Sequence, residues 1–118
     1  MEDLLSSFGE VFINDVRDRT IRNFDMIIAG KMRDESSQKL SETINQMSIE
    51  HRQLIDRIVP HIVDLCIHNM LCMVEGHDNI DILIESQSIS EISDGLSGEL
   101  YTEDGWIQKY SKQRYEEI

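Results

Sequence analysis

Proline occurs once in these 118 residues, cysteine twice, aromatic residues make up 6%, and basic side chains are outnumbered 11 to 23 by acidic ones. The scarcity of proline, beside an ordinary 40% of hydrophobic residues, excludes a proline-rich linker or a low-complexity chain. A folded protein is expected, and the length fits one domain spanning 1–118 with a core that needs no metal or disulfide support. Cys66 and Cys72 stand six apart in what reads as one helix, so their Cα atoms lie about 9 Å apart at ~1.5 Å per residue, beyond disulfide reach. Two free thiols point to a reducing compartment, and the opening MEDLLSSFGE lacks the basic and apolar regions of a secretory signal. A cytoplasmic location is therefore expected. The longest nearly apolar run, IVDLCIHNMLCMV, is too short to span a bilayer and contains Asp64, His68 and Asn69, so no membrane association is expected. The shortage of basic residues leaves a net charge of −12, which repels nucleic acid and anionic lipid and steers basic proteins toward the chain. Solubility alone is the plainer account of such acidity.

What is present is helical patterning followed by a change of period. From Leu4 to Ile28 the residues Leu5, Phe12, Ile13, Val16, Phe24 and Ile27 recur at helical spacing, with Gly30 placed as a stop. SQKLSETINQM predicts a short helix presenting Leu40, Ile44 and Met47. Ser48 is placed to cap a second long helix running to about Glu75, with a core stripe of Leu54, Ile55, Ile58, Ile62, Leu65, Cys66 and Met73. Pro60 removes a backbone donor and predicts a kink or break near Val59. The second half of this helix is apolar nearly all round, which predicts a central element covered on several sides. After Gly76, NIDILIES alternates Ile80, Ile82 and Ile84 with Asn79, Asp81 and Leu83, the pattern of a half-buried strand. Thr102-Glu103-Asp104-Gly105, between GELY and WIQKY, has the order of a hairpin turn; a short C-terminal helix capped by Thr102, with acids in its first turn and Lys109, Lys112 and Arg114 towards its end, is the rival, with Gly105 counting mildly against it.

Several residue sets invite a functional reading, each beside a plainer one. His61, Asp64, His68 and Cys72 share one face of the second helix, and His61, Asp64 and His68 are the metal-ligand set of an alternative reading as a metal-binding protein or metal-dependent enzyme. That set lacks a ligand pair from a second segment, and the plainer account pairs Asp64 with His68 beside the core, reached by Arg17, Arg19 or Arg22. Asn69 interrupts the apolar stripe, and with Asn23 it predicts a buried cross-helix amide pair that fixes register. Cys72 has His68 one turn earlier, but its apolar surroundings predict an inert thiol. The glycines of DGLSGELYTEDG match no phosphate-binding loop, and no cofactor is expected. Trp106, Tyr101 and Tyr110, with Glu103 and Asp104, form the candidate partner surface, although core packing of the tryptophan competes with that role.

SDGLSGELYTEDGWIQKYS, together with VDLCIHNMLCMVE, resembles a family of small acidic bacterial proteins that includes immunity proteins of toxin systems; the likeness covers residues 59–111. The resemblance implies a bacterial protein that occludes a basic toxin, and it carries no catalytic residues with it. The expectation is a mainly helical α+β fold: two long antiparallel helices, a short helix between them, and a C-terminal strand plus β-hairpin. The expected role is binding a basic protein, with pairing of the long helices between two copies as a further possibility and no reaction assigned.

Overall fold

The structure, a computed structural model, describes residues 3–115. The first long helix is three segments end to end: α1 (Leu4–Phe12), a π turn (Ile13–Asp18) and α2 (Arg19–Ile28). A Schellman closure ends it, with Gly30 at φ 75° donating to the Ile27 carbonyl and Lys31 to the Met26 carbonyl, both at 3.0 Å. Gly30 is thus the stop that the sequence predicts, because a left-handed φ there suits a residue without Cβ.

α3 (Glu35–Asn45) is capped by Asp34, whose carboxylate accepts from the Ser37 N–H at 3.0 Å. It returns against α2: the Ile28 carbonyl accepts from the Ser41 hydroxyl and the Asn45 amide, each at 2.9 Å. Ile44 is buried, while Leu40 and Met47 of the expected stripe remain exposed. α4 (Ile49–Gly76) begins at the predicted cap, with the Ser48 hydroxyl accepting from His51 N–H at 3.2 Å. Arg17 meets Asp64, while Asp25, further along the first helix, meets Arg114, which also binds the Asp56 carbonyl. Rising numbers on one helix against falling numbers on the other make the two long helices antiparallel.

Of the kink or break expected near Val59, the break does not occur; α4 runs through Pro60 as one 28-residue helix. Proline at 60 deprives the Asp56 carbonyl of its helical donor. Arg114 Nε supplies the missing donor at 2.8 Å. By length and composition α4 would also qualify as a membrane span, although Val63, Asp64, Ile67, Leu71 and Val74 on one face are buried inside this fold.

That face replaces the predicted one. Leu54, Ile58, Ile62, Leu65, Cys66 and Met73 are exposed and Ile55 is only half-buried. α4 is covered along one side rather than on several. The core joins Phe12 and Ile13 to Ile67, Leu71 and Val74 and to Ile89, Leu96, Leu100, Trp106 and Ile107 from the last third of the chain.

The fold is α+β and mainly helical, as expected, with a small antiparallel sheet of β1 (Leu83–Ile84) and β2 (Gln87–Ser88). Within NIDILIES the alternation survives at Ile82 and Ile84, which pack on the core while Leu83 faces solvent. The hairpin closes through Glu85 and Ser86, both at positive φ (50° and 69°), as a type I′ turn requires. It therefore lies at 83–88. Residues 102–105 do not form the expected hairpin: a 3-10 segment (Leu96–Leu100) leads through that turn into α6 (Trp106–Tyr110). Nor does a helix start from a Thr102 cap: α6 begins only at Trp106, with Gly105 at its N-cap position, where the chain passes so close to its own backbone that a Cβ would sit 2.1 Å from the Tyr101 carbonyl oxygen. A short helix α5 (Ile89–Ile92), capped by Ser88, connects the sheet to this closing segment.

Candidate functional site

The π turn accommodates consecutive charged residues, Arg17 and Asp18, in the interior. Arg17 is fully buried and each nitrogen of its guanidinium is engaged. Nε and Nη2 donate to the two Asp64 oxygens at 2.5 and 3.3 Å, Nη1 donates to Ser111 Oγ at 2.8 Å and Asp18 Oδ1 at 3.3 Å, and Nη2 also reaches the Arg114 carbonyl at 3.1 Å. Asp18 in turn accepts from the Ser111 hydroxyl and the Lys112 N–H, both at 2.7 Å. Of the three arginines expected to reach Asp64, Arg17 is the one that does. A carboxylate neutralised this way and a hydroxyl already donating to a carboxylate form a clamp between the first helix, α4 and the chain end. They do not form a nucleophile and base waiting for substrate.

The metal-ligand reading loses its central member to this clamp. Asp64 faces Arg17, while His68 turns to the Cys72 sulfur at 3.4 Å and lies against the Tyr101 ring at 5.5 Å between centroids. His61 lies on the same helix with Nε2 buried and unbonded. Among the described residues, no group of three or more His, Cys, Asp or Glu side chains is arranged to hold a metal ion. The expected Asp64–His68 pair is not made, and Cys72 is exposed rather than enclosed in apolar surroundings.

The buried amide pair is also corrected: Asn23 and Asn69 are both exposed. α4 turns its Ile67 and Leu71 side inward, which leaves Asn69 on the opposite side.

Trp106 is 3% exposed and stands edge-on to Phe8 and Phe12, with ring centroids 5.6 and 6.4 Å apart. It anchors the core, not a partner surface. The remaining members of that predicted surface lie at or near the exterior: Glu103 and Asp104 are exposed, and Tyr101 and Tyr110 are half-buried. Tyr101, Glu103, Ile107 and Tyr115 line an open cleft of about 410 Å³. Burial, reinforced by the negative charge of Asp64, pushes the Tyr101 phenol above its ordinary value.

Exposed carboxylates are concentrated in one stretch of the chain beyond that cleft. Between Arg57 and Lys109 the chain carries no lysine or arginine, yet Glu75, Asp78, Asp81, Glu85, Glu91, Asp94, Glu99, Glu103 and Asp104 fall there, all but half-buried Glu99 exposed. Glu75, Asp78, Asp81 and Glu91 line a second depression of about 160 Å³ where the end of α4 meets the segment around the sheet. Glu75 is held below the usual carboxylate range by hydrogen bonds from the Ser97 backbone N–H and then from its side chain. Net charge alone does not reveal this segregation, whose signal in the sequence is the long run free of lysine and arginine. No protein-family model matches the chain, and no curated protein or solved structure is significantly similar to it, so the reading of these surfaces rests on the residues themselves.

Proposed function

We propose that this chain is a non-catalytic binding protein for a basic protein partner, acting as a toxin-neutralising immunity protein of a bacterial cytoplasm would, by occlusion. The observation that carries this reading is the run between Arg57 and Lys109, which holds no lysine or arginine while most of its carboxylates are exposed, with a depression lined by Glu75, Asp78, Asp81 and Glu91 beside His77 that suits a lysine or arginine side chain. A one-signed surface of this kind raises the rate of encounter with an oppositely charged partner and disfavours nucleic acid and anionic lipid. Glu103 and Asp104 extend it toward the Tyr101 cleft, where an aromatic wall offers a place for an apolar anchor.

The test is capture from the native lysate at low and moderate salt by the wild-type chain and by an Asp78→Lys/Asp81→Lys/Glu103→Lys variant. A basic protein retained by the wild type, lost as salt rises and lost in the variant is the expected result. Equal retention by both chains, or no basic protein at either salt, would remove the acidic surface as the binding site.

A further inference from the structure

The face of α4 opposite the core is a different kind of surface. Ile58, Ile62, Leu65, Asn69 and Cys72 follow at steps of four, three, four and three, the spacing that lets one helix seat another along a seam. All five are exposed, Ile62 and Leu65 to 62% and 59%. Leu54 and half-buried His61 and His68 flank the row along one edge and Cys66 and Met73 along the other, and neither the row nor these flanks carries a carboxylate, lysine or arginine. A basic partner would find no charge to complement here. An anionic bilayer would find none of the lysines and arginines by which interfacial helices adhere.

We infer that this face is covered by a second copy of the chain, α4 packing against α4 side by side and parallel, with Asn69 facing Asn69 across the two-fold axis. The composition selects this occupant, because a neutral apolar row is complementary to itself and brings none of the like charges of a −12 chain together. Asn69 selects it too: an amide in the middle of an apolar seam is unpaired against lipid but finds an identical amide at an in-register position, where it fixes register at some cost in stability. The exposed parts of Leu54, Ile58, Ile62, Leu65 and Met73, with those of Asn69 and Cys72, together present on the order of 600 Å² per protomer, approaching the roughly 800 Å² a side of a stable interface and at the upper end of what monomers expose. The protomer's core lies on the other side of α4, so the seam is open to a partner.

This inference is independent of the basic partner and is tested without it. Sedimentation equilibrium of the full chain at tens of micromolar should give twice the 13.7 kDa chain mass, and Ile62→Asp/Leu65→Asp should return it to the chain mass. Buried Trp106 should keep its fluorescence in that variant, which separates loss of the dimer from loss of the fold. In a Cys66→Ser background, mild oxidation should link Cys72 to the Cys72 of the second copy and yield a dimer on a non-reducing gel. A monomeric wild type, or a dimer indifferent to the two aspartates, overturns the proposal. A dimer that does not cross-link overturns the parallel register, and a monomer that floats with phosphatidylcholine vesicles through Ile62 assigns the face to lipid instead.

Discussion

Arg17 is where a single side chain matters most. Its charge is withdrawn from water and matched by Asp64 and Asp18, so removing it strands two carboxylates in the interior. Arg17→Met is expected to cost about 3–5 kcal/mol in denaturant unfolding, and adding Asp64→Leu should restore part of that loss, because a buried ion pair is harder to break by half than to replace. If the double variant were less stable than the single one by the full cost of a second lesion, the clamp would not be a unit. Gly9 is the second sensitive position: a Cβ there would lie 2.5 Å from the Trp106 indole. Gly9→Ala should destabilise by about 1–3 kcal/mol and alter the emission of Trp106, the chain's only tryptophan. An unchanged spectrum would argue against that close approach. Neither position is legible in the sequence, where Arg17 is one of three arginines on a helix and Gly9 has no local reason to be glycine.

Among the elements, α4 shows how a distant residue repairs a local defect. Arg114 gives the Asp56 carbonyl the donor that Pro60 lacks, and its other nitrogens grip both Asp25 oxygens at 2.8 and 3.0 Å. In a Pro60→Ala background the restored amide at 60 can satisfy Asp56, so Arg114→Ala should be less damaging there than in the wild type. The coupling expected from a double-mutant cycle is on the order of 1 kcal/mol; strictly additive effects would refute the repair. The helix stops and starts at Gly30 and Ser48 were readable because capping chemistry is local. The hairpin was misplaced for the converse reason. Its turn is built from Glu85 and Ser86 instead of the Asn-Gly or Asp-Gly pairs that signal type I′, while the Asp-Gly at 104–105 leads into a helix.

At the scale of the molecule, acidity couples to pH as well as to partners. Glu75 is held in its charged form by Ser97, at the join between α4 and the 3-10 segment. A carboxyl whose pKa is lower folded than unfolded adds stability at neutral pH that disappears as pH falls through its folded value. The difference in melting temperature between wild type and Glu75→Gln should therefore favour the wild type at pH 7 and shrink on acidification below the usual carboxylate range. A pH-independent difference would assign the effect to packing. Tyr101 acts at the other end of the scale: its phenol is raised by burial, so its contribution is complete below its unfolded value and is lost as pH climbs above it.

The sequence by itself determined the mainly helical α+β class, the two long helices with the Gly30 stop and the Ser48 cap, and the dominance of negative charge, because propensity, capping and net charge are properties of short stretches or simple sums. Only the tertiary structure decided which side of α4 is core. A helix apolar nearly all round offers periodicity two rival faces, and the choice fell to Val63, Ile67 and Leu71 once the first helix and the chain end closed over Asp64. That choice buried Trp106, released Asn69 and left Ile62 and Leu65 facing outward, so the surface proposed here for a second copy is the one that the sequence pattern had assigned to the interior.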